Sequence, residues 1–126
     1  MNSDYSFIRY ETPNQRKEIR ISITKNHTIG LPTTFYMEHG IAKYKFAILF
    51  FDPKKSAVAI HFTNNREERG KFGIIHDRRG KGASISVTSF FKSNKIDPLK
   101  YCGKYDWKKM NLSSIGDVFV LDLLEQ

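Results

Sequence analysis

Residues 31–41 read Leu-Pro-Thr-Thr-Phe-Tyr-Met-Glu-His-Gly-Ile, and residues 86–96 read Ser-Val-Thr-Ser-Phe-Phe-Lys-Ser-Asn-Lys-Ile. At a constant offset of 55 positions, both stretches contain a Thr, then a Thr or Ser, then Phe and a second aromatic residue, and both end in Ile. An alternating apolar run precedes each stretch, and another apolar run follows each at some distance. A repeat of this size predicts two similar strand–helix–strand units that close one shared core with internal pseudo-two-fold symmetry.

The segments around the repeat alternate with the period of a β-strand. Strands are predicted for residues 18–24, 44–51, 57–62, 72–75, 83–87, 104–110 and 118–124. Pro32 suits the first position of a short helix, and Gly40 suits the position just after its end. A second short helix is predicted for residues 89–95, before Asp97-Pro98. Because no segment supports a helix longer than about three turns, we expect an α+β domain dominated by antiparallel hairpins.

The 126 residues are expected to form a single domain. We divide it into an N-terminal arm at 1–17, a first unit at 18–64, a polar connector at 65–71 and a second unit at 72–126. The apolar side chains that could dock the arm are Tyr5, Phe7, Ile8 and Tyr10.

The chain is strongly basic, with a formal net charge of +8 at pH 7. Residues 66–81 hold six basic and three acidic residues, and residues 91–110 hold six basic and two acidic residues. The last sixteen residues have three acidic residues and no Lys or Arg. An excess of positive charge concentrated in mid-chain loops favours a polyanionic partner such as nucleic acid or an acidic protein surface.

Several classes of protein are disfavoured by what the sequence lacks. No stretch approaches the roughly 18 apolar residues of a membrane helix, and the first residues do not resemble a secretory signal. Cys102 is the only cysteine, which fits a reducing compartment, and we expect a cytoplasmic location. The four histidines lack metal-site spacing, and nucleophile, phosphate-loop and dinucleotide motifs are absent. We therefore expect neither an enzyme nor a bound cofactor or metal.

Residues 29–41, Ile-Gly-Leu-Pro-Thr-Thr-Phe-Tyr-Met-Glu-His-Gly-Ile, are followed by the apolar runs at 46–52 and 58–60. This arrangement resembles the AbrB/SpoVT family of prokaryotic DNA-binding domains over roughly residues 19–64. Residues 73–124 resemble a more divergent copy, and two copies in one chain are similar to the MraZ branch. The resemblance implies a small, highly twisted, interleaved β-barrel with two short helices, which the duplicated chain could form alone or as a homodimer.

The resemblance also implies where DNA would bind. Residues 77–81, Asp-Arg-Arg-Gly-Lys, are similar to the Asp-x-x-Gly-Arg loop with which this family presents basic residues to DNA. A glycine-flanked turn lifts cationic side chains off the body of a domain, where they reach phosphates or base edges. We predict a duplex DNA site, in a transcriptional or genome-associated regulator, made of Arg78, Arg79 and Lys81, with phosphate contacts added by Lys25, Lys92 and Lys95.

Two alternatives remain open from the sequence. Tyr105 and Trp107 alternate with lysines, a pattern that can stack bases of single-stranded nucleic acid, although period-two alternation more often turns such aromatic residues into the core. The basic face could instead bind an acidic protein, as in an interaction or inhibitor module.

Overall fold

A computed structural model of the chain describes residues 5–9 and 18–125. Within these residues, nine antiparallel strands form one sheet that curls into a nearly closed β-barrel with a few short helices, which confirms the predicted small barrel of antiparallel hairpins. Most of the predicted N-terminal arm, including Tyr10, lies outside the described residues. Within residues 5–9, the side chains of Tyr5, Phe7 and Ile8 are exposed.

The elements are short, as the sequence predicted. The strands are β1 (Ile21–Thr24), β2 (Thr28–Leu31), β3 (Phe46–Asp52), β4 (Ala57–Thr63), β5 (Phe72–His76), β6 (Ala83–Ser86), β7 (Gly103–Tyr105), β8 (Trp107–Leu112) and β9 (Gly116–Asp122). The helices are α1 (Thr33–Glu38), α2 (Thr88–Ser93) and α3 (Pro98–Tyr101), with one 3₁₀ turn at Ile41–Lys43. Neighbouring strands follow the order β7-β1-β2-β6-β5-β3-β4-β9-β8.

The two ends of this order lie next to each other. β7 and β8 are consecutive in the chain and only Asp106 separates them. The indole N–H of Trp107, the first residue of β8, donates to the carbonyl oxygen of Ile19 at 2.7 Å, just before β1. This contact links the last strand in the order to the segment that leads into β1, so the two ends of the sheet meet.

Three sequence predictions differ from the structure. Residues 29–31, which lie outside the predicted strands, belong to strand β2, and Ile29 and Leu31 are buried there. The alternation typical of a strand is present at Ile29 and Leu31, but Gly30 and Pro32 limit it to those two apolar residues. Residues 104–110, predicted as one strand, are split between β7 and β8 because they pair with β1 and β9 in turn. The expected two helices are accompanied, within the described residues, by α3 and the 3₁₀ turn.

The two repeated stretches end their helices in the same way. The residue after α1, His39, has φ −102° and ψ 8°, and the residue after α2, Asn94, has φ −100° and ψ 6°. The next residues, Gly40 and Lys95, both have left-handed backbones, with φ of 59° and 56°. The prediction that Gly40 follows the helix end is confirmed, and Lys95 adopts this conformation although a non-glycine residue is strained there.

The repeated aromatic residues supply the centre of the core. Phe35 and Phe91 are fully buried, and Tyr36 and Phe90 are at most 9% exposed. They pack among inward-facing Ile, Val and Leu side chains from the strands. The short helices are therefore held by burial of their aromatic faces, since six residues are too few for a helix to be stable alone in water.

The two halves of the chain are interleaved at the starts of the helices. The backbone N–H of Val87, just before α2, donates to the carbonyl of His27 in the β1–β2 turn at 2.8 Å. The hydroxyl of Thr33, at the start of α1, donates to the carbonyl of Lys81 in the β5–β6 turn. Each hairpin turn is thus fixed by the helix of the other half.

The close packing of the β5–β6 turn against the start of α1 generates a stability prediction. Gly82 has φ +140°, and a Cβ atom on it would lie 2.8 Å from the carbonyl oxygen of Leu31, which is backbone. We expect Gly82→Ala to lower the free energy of unfolding by ~2 kcal/mol or more, measured by urea denaturation. Gly73→Ala is the matched control, because Gly73 also borders this hairpin and has open space around its Cβ position. That change should be neutral or stabilise by up to ~1 kcal/mol, and equal losses at both positions would contradict the prediction.

Candidate nucleic-acid interface

The β5–β6 connection at residues 77–82, here called the basic turn, is braced by its own backbone. The N–H of Asp77 donates to the carbonyl of Gly82 at 2.9 Å, and the N–H of Gly80 donates to the carbonyl of Asp77 at 2.9 Å. One carboxylate oxygen of Asp77 accepts from the N–H of Arg79 at 3.2 Å. The acidic residue of the turn therefore orders the backbone, as an aspartate in this kind of turn commonly does.

Hydrogen bonds from residues distant in sequence fix the basic turn and the end of β5 beside it. Besides Thr33, which holds the carbonyl of Lys81, the ring of His76 bridges two other elements. Its Nε2 donates to the carbonyl of Tyr44 at 2.8 Å, and the hydroxyl of Tyr36 donates to its Nδ1 at 2.8 Å. These supporting residues were not predicted from the sequence, since they lie 32 to 48 positions from their partners and form no local motif.

The cationic side chains of the basic turn are exposed and lie outside the ion pairs of the described residues. Arg78, Arg79 and Lys81 are all exposed. Among the ion pairs of the described residues, none involves these three side chains. An ordered turn that carries three uncompensated cations is a suitable surface for phosphate groups.

The other predicted contacts form a second group. Lys25 lies in the β1–β2 turn, which the hydrogen bond from Val87 to His27 joins to the start of α2. Lys92 is in the last turn of α2, and Lys95 is the left-handed residue after that helix. All three lysines are exposed and, like the basic turn, form none of the ion pairs seen in the described part of the chain.

The two groups lie at opposite ends of the β2–β6 ladder. Thr28 is opposite Ser86 at the Lys25 end, and Leu31 is opposite Ala83 at the end of the basic turn. This ladder is about 10 Å long, and with the turns beyond it the tips are separated by roughly 25 Å. The structure therefore brings Arg78, Arg79 and Lys81 together and brings Lys25 near α2, but it does not unite all six in one cluster.

Other cations of the chain are already compensated. The Glu18 carboxylate accepts from the Arg20 guanidinium at 3.0 Å and lies 3.0 Å from the Lys104 ammonium. Arg20 first, and then Lys104, lower the pKa of Glu18 to about 2. Lys109 pairs with Asp117 at 3.8 Å. Neighbouring carboxylates partly neutralise the positive charges of Arg20, Lys104 and Lys109. These residues therefore attract a polyanion less strongly than the basic turn does.

The aromatic residues predicted as alternatives for base stacking are part of the barrel. Tyr105 is fully buried, and its hydroxyl donates to the carbonyl of Tyr101 at 2.5 Å. Trp107 is half-buried and packs edge-on against Phe35 and Phe119, with ring centroids 5.3 Å away in each case. A single-strand site would therefore need aromatic residues other than this pair.

A groove of about 520 Å³ lies between the end of α1 and strands β4, β8 and β9. Its side chains include His39, which contacts the rings of Phe35, Trp107 and Phe119 at 4.7 to 4.9 Å between centroids. Nε2 of His39 is buried and has no hydrogen-bond partner. Burial, and then the nearby charge of Lys109, lower the pKa of His39 below its usual value.

The remaining chemistry-bearing residues do not assemble into a metal or thiol site. Within residues 5–9 and 18–125, no three His, Cys, Asp or Glu side chains are grouped so as to hold a metal ion. The Cys102 thiol is half-buried and donates to the carbonyl of Leu99 at 3.7 Å. Among the described helices, none is long and apolar enough to cross a membrane.

No family model matches the chain, and no curated protein or solved structure is significantly similar to it.

The environment of His39 predicts a pH dependence. The unfolded chain takes up a proton at His39 near pH 6.5, whereas the folded chain does so only at lower pH. Stability from this residue should therefore fall as the pH drops below about 6.5, and it should be unchanged above that pH. Lys109, Glu38 and His61 also line this groove, so the comparison needs a variant of His39 itself.

His39→Asn is the fold-preserving variant, because the matching Asn94 donates to the carbonyl four residues earlier at 2.9 Å. The free energy of unfolding at pH 5.5 and 7.5 should differ less in this variant than in the wild type. An NMR titration should place the His39 pKa below 6.5, the ordinary value of a histidine. A His39 signal that titrates above pH 6.5 would contradict the prediction.

Proposed function

We propose that this chain binds duplex DNA through the basic turn. The observation that carries the proposal is an ordered, glycine-flanked turn on which Arg78, Arg79 and Lys81 are exposed without acidic partners, while its only carboxylate is engaged by the backbone. Arginine can bind phosphate or guanine with two hydrogen bonds at once, so a rigid base under two adjacent arginines favours ordered contacts. The chain's net charge of +8 would attract DNA from a distance.

The lysines at the Lys25 end extend the proposed contact. A separation of roughly 25 Å between the two groups corresponds to about seven base pairs of B-DNA at ~3.4 Å each. Phosphate contacts at both ends would fix the orientation of the protein on the duplex, and the arginines would be placed to read base edges. Duplex is favoured over single-stranded DNA because Tyr105 and Trp107 are committed to the barrel.

We also propose that the barrel consists of two AbrB-like units in tandem. The strand order supports this arrangement, because β1-β2-β6-β5 and β3-β4-β9-β8 each place two strands of one unit beside the matching two of the other. The equal geometry after α1 and α2 supports it as well. A protein of this kind would act in the cytoplasm as a transcriptional or genome-associated regulator.

The test is binding of a labelled 20-base-pair duplex and of the matching single strand across a salt series. Contacts by all six cations would give a log–log salt slope of about −5 on duplex. The double variant Arg78→Ala/Arg79→Ala should make this slope less steep by about one to two and weaken binding at low salt.

The matched control is Arg66→Ala/Arg69→Ala, which removes the same charge from exposed positions between β4 and β5. This variant should change the slope by much less. Equal effects of the two double variants would show that only net charge matters and would overturn the basic turn as the site. Weak and equal affinity for both nucleic acids, unaffected by either variant, would point to an acidic protein partner instead.

A further inference from the structure

A shallow hollow of about 320 Å³ lies beside the basic turn, where β5 ends and β6 begins. It is lined in part by Lys81 and Gly82 of the basic turn and by Ile75 and Ser84 of the two strands. The strand register places Ile75 directly opposite Ser84, so the two side chains lie on the same face of the hairpin. The hollow therefore brings an apolar side chain and a hydroxyl group next to the cations that we propose to bind DNA.

Ile75 faces outwards although it lies within a strand. Its neighbour Ile74 belongs to the core, and successive residues of a strand point to opposite faces. Ile75 is 61% exposed. Single exposed apolar residues are common on protein surfaces, but among the described residues Ile75 and Met110 are the only large ones on strands. Of these two, Ile75 is the one beside the basic turn.

The charges around the hollow favour a neutral group inside it. The carboxylate of Asp77 also lines the hollow, and one of its oxygens accepts from the N–H of Arg79 at 3.2 Å. A phosphate group placed there would be repelled by this carboxylate. We therefore expect phosphates at the exposed tip of the turn, and a base edge beside Ile75 and Ser84.

We propose that Ile75 contacts the 5-methyl group of a thymine in the major groove of duplex DNA, so that the chain prefers A·T pairs next to the phosphates held by the basic turn. This inference rests on the proposed binding of duplex DNA. The thymine methyl is the apolar element of the major-groove pattern, and apolar side chains are its usual partners. The hydroxyl of Ser84 can donate to O4 of the thymine or accept from N6 of the paired adenine.

The spacing allows both kinds of contact on one duplex. Ile75 and Arg78 are three residues apart, so their Cα atoms are separated by at most ~10 Å. Base pairs follow one another at ~3.4 Å, so the thymine would lie within about three steps of the phosphates bound by the arginines. The major groove, which is ~12 Å wide, admits a two-stranded ribbon such as the β5–β6 hairpin.

Insertion between base pairs is a poorer role for Ile75. Apolar wedges enter the minor groove and must protrude far enough to separate two stacked bases. Ile75 lies two residues before the basic turn and lines a hollow, so the turn would reach the DNA first. A hollow beside an apolar side chain instead provides room for a methyl group.

The experiment compares two labelled 20-base-pair duplexes of alternating A·T sequence, in one of which deoxyuridine replaces every thymine. The replacement removes the methyl group and leaves the phosphates and hydrogen-bonding groups in place. The wild type should bind the thymine duplex about three- to fivefold more tightly, as expected for the burial of one methyl group. Ile75→Ala should bind both duplexes equally and keep the salt slope of the wild type.

Met110→Ala is the matched control, because it removes the other exposed apolar side chain of the strands, on β8 at the far end of the strand order. This variant should keep the preference for thymine. A second readout uses the wild type alone: an NMR cross-relaxation signal should connect the δ1 methyl group of Ile75 with a thymine methyl group in the complex.

The outcomes separate this inference from the proposed function. Equal affinity of the wild type for both duplexes would overturn the thymine contact. If the salt slope were still reduced by Arg78→Ala/Arg79→Ala, the proposed function would stand. A preference for thymine that persists in Ile75→Ala would also overturn the contact, because another residue would then read the methyl group. Absence of salt-dependent binding to either duplex would overturn both proposals.

Discussion

The rest of the structure depends on the antiparallel pairing of β2 with β6. This short ladder joins the two halves of the chain, and at each of its ends a hairpin turn is fixed by the start of the other half's helix. Four residues per strand give few hydrogen bonds, so burial of Ile29, Ile85 and the aromatic residues of the helices must stabilise the pairing. Because a hairpin alone is marginally stable, neither half is expected to keep its shape without the other.

The pairing of β2 with β6 and the contacts at its ends also determine the shape of the basic turn. An exposed loop with three neighbouring cations would normally spread to reduce repulsion, yet here its backbone is fixed internally by Asp77 and externally by Thr33. The loop therefore loses its conformational entropy during folding, and binding does not have to order it again. Arg20 and Lys104, by contrast, both form ion pairs with Glu18, which connects the segment before β1 to β7.

Much of the fold could be predicted from sequence, for identifiable reasons. Phe35 and Phe90 marked both helices because aromatic pairs repeated at a fixed offset, and alternation marked long strands such as β4. Strand β2 was missed because its apolar pattern covers only two residues. For the candidate site, the basic turn followed from local composition, but its supports, Thr33 and His76, could not be predicted, since contacts across 40 or more residues leave no local pattern.

The closure of the barrel has a consequence for how the chain reaches its structure. Strand β1 pairs with β7, and β4 pairs with β9. Strands early in the chain therefore pair with strands about 60 to 80 residues later. Contacts this distant in sequence require large loops to close before they contribute, which slows folding. On a ribosome, the first half would leave the exit tunnel with β1 and β4 unpaired on one side. The apolar side chains of β4 would stay accessible to chaperones until β9 has been synthesised.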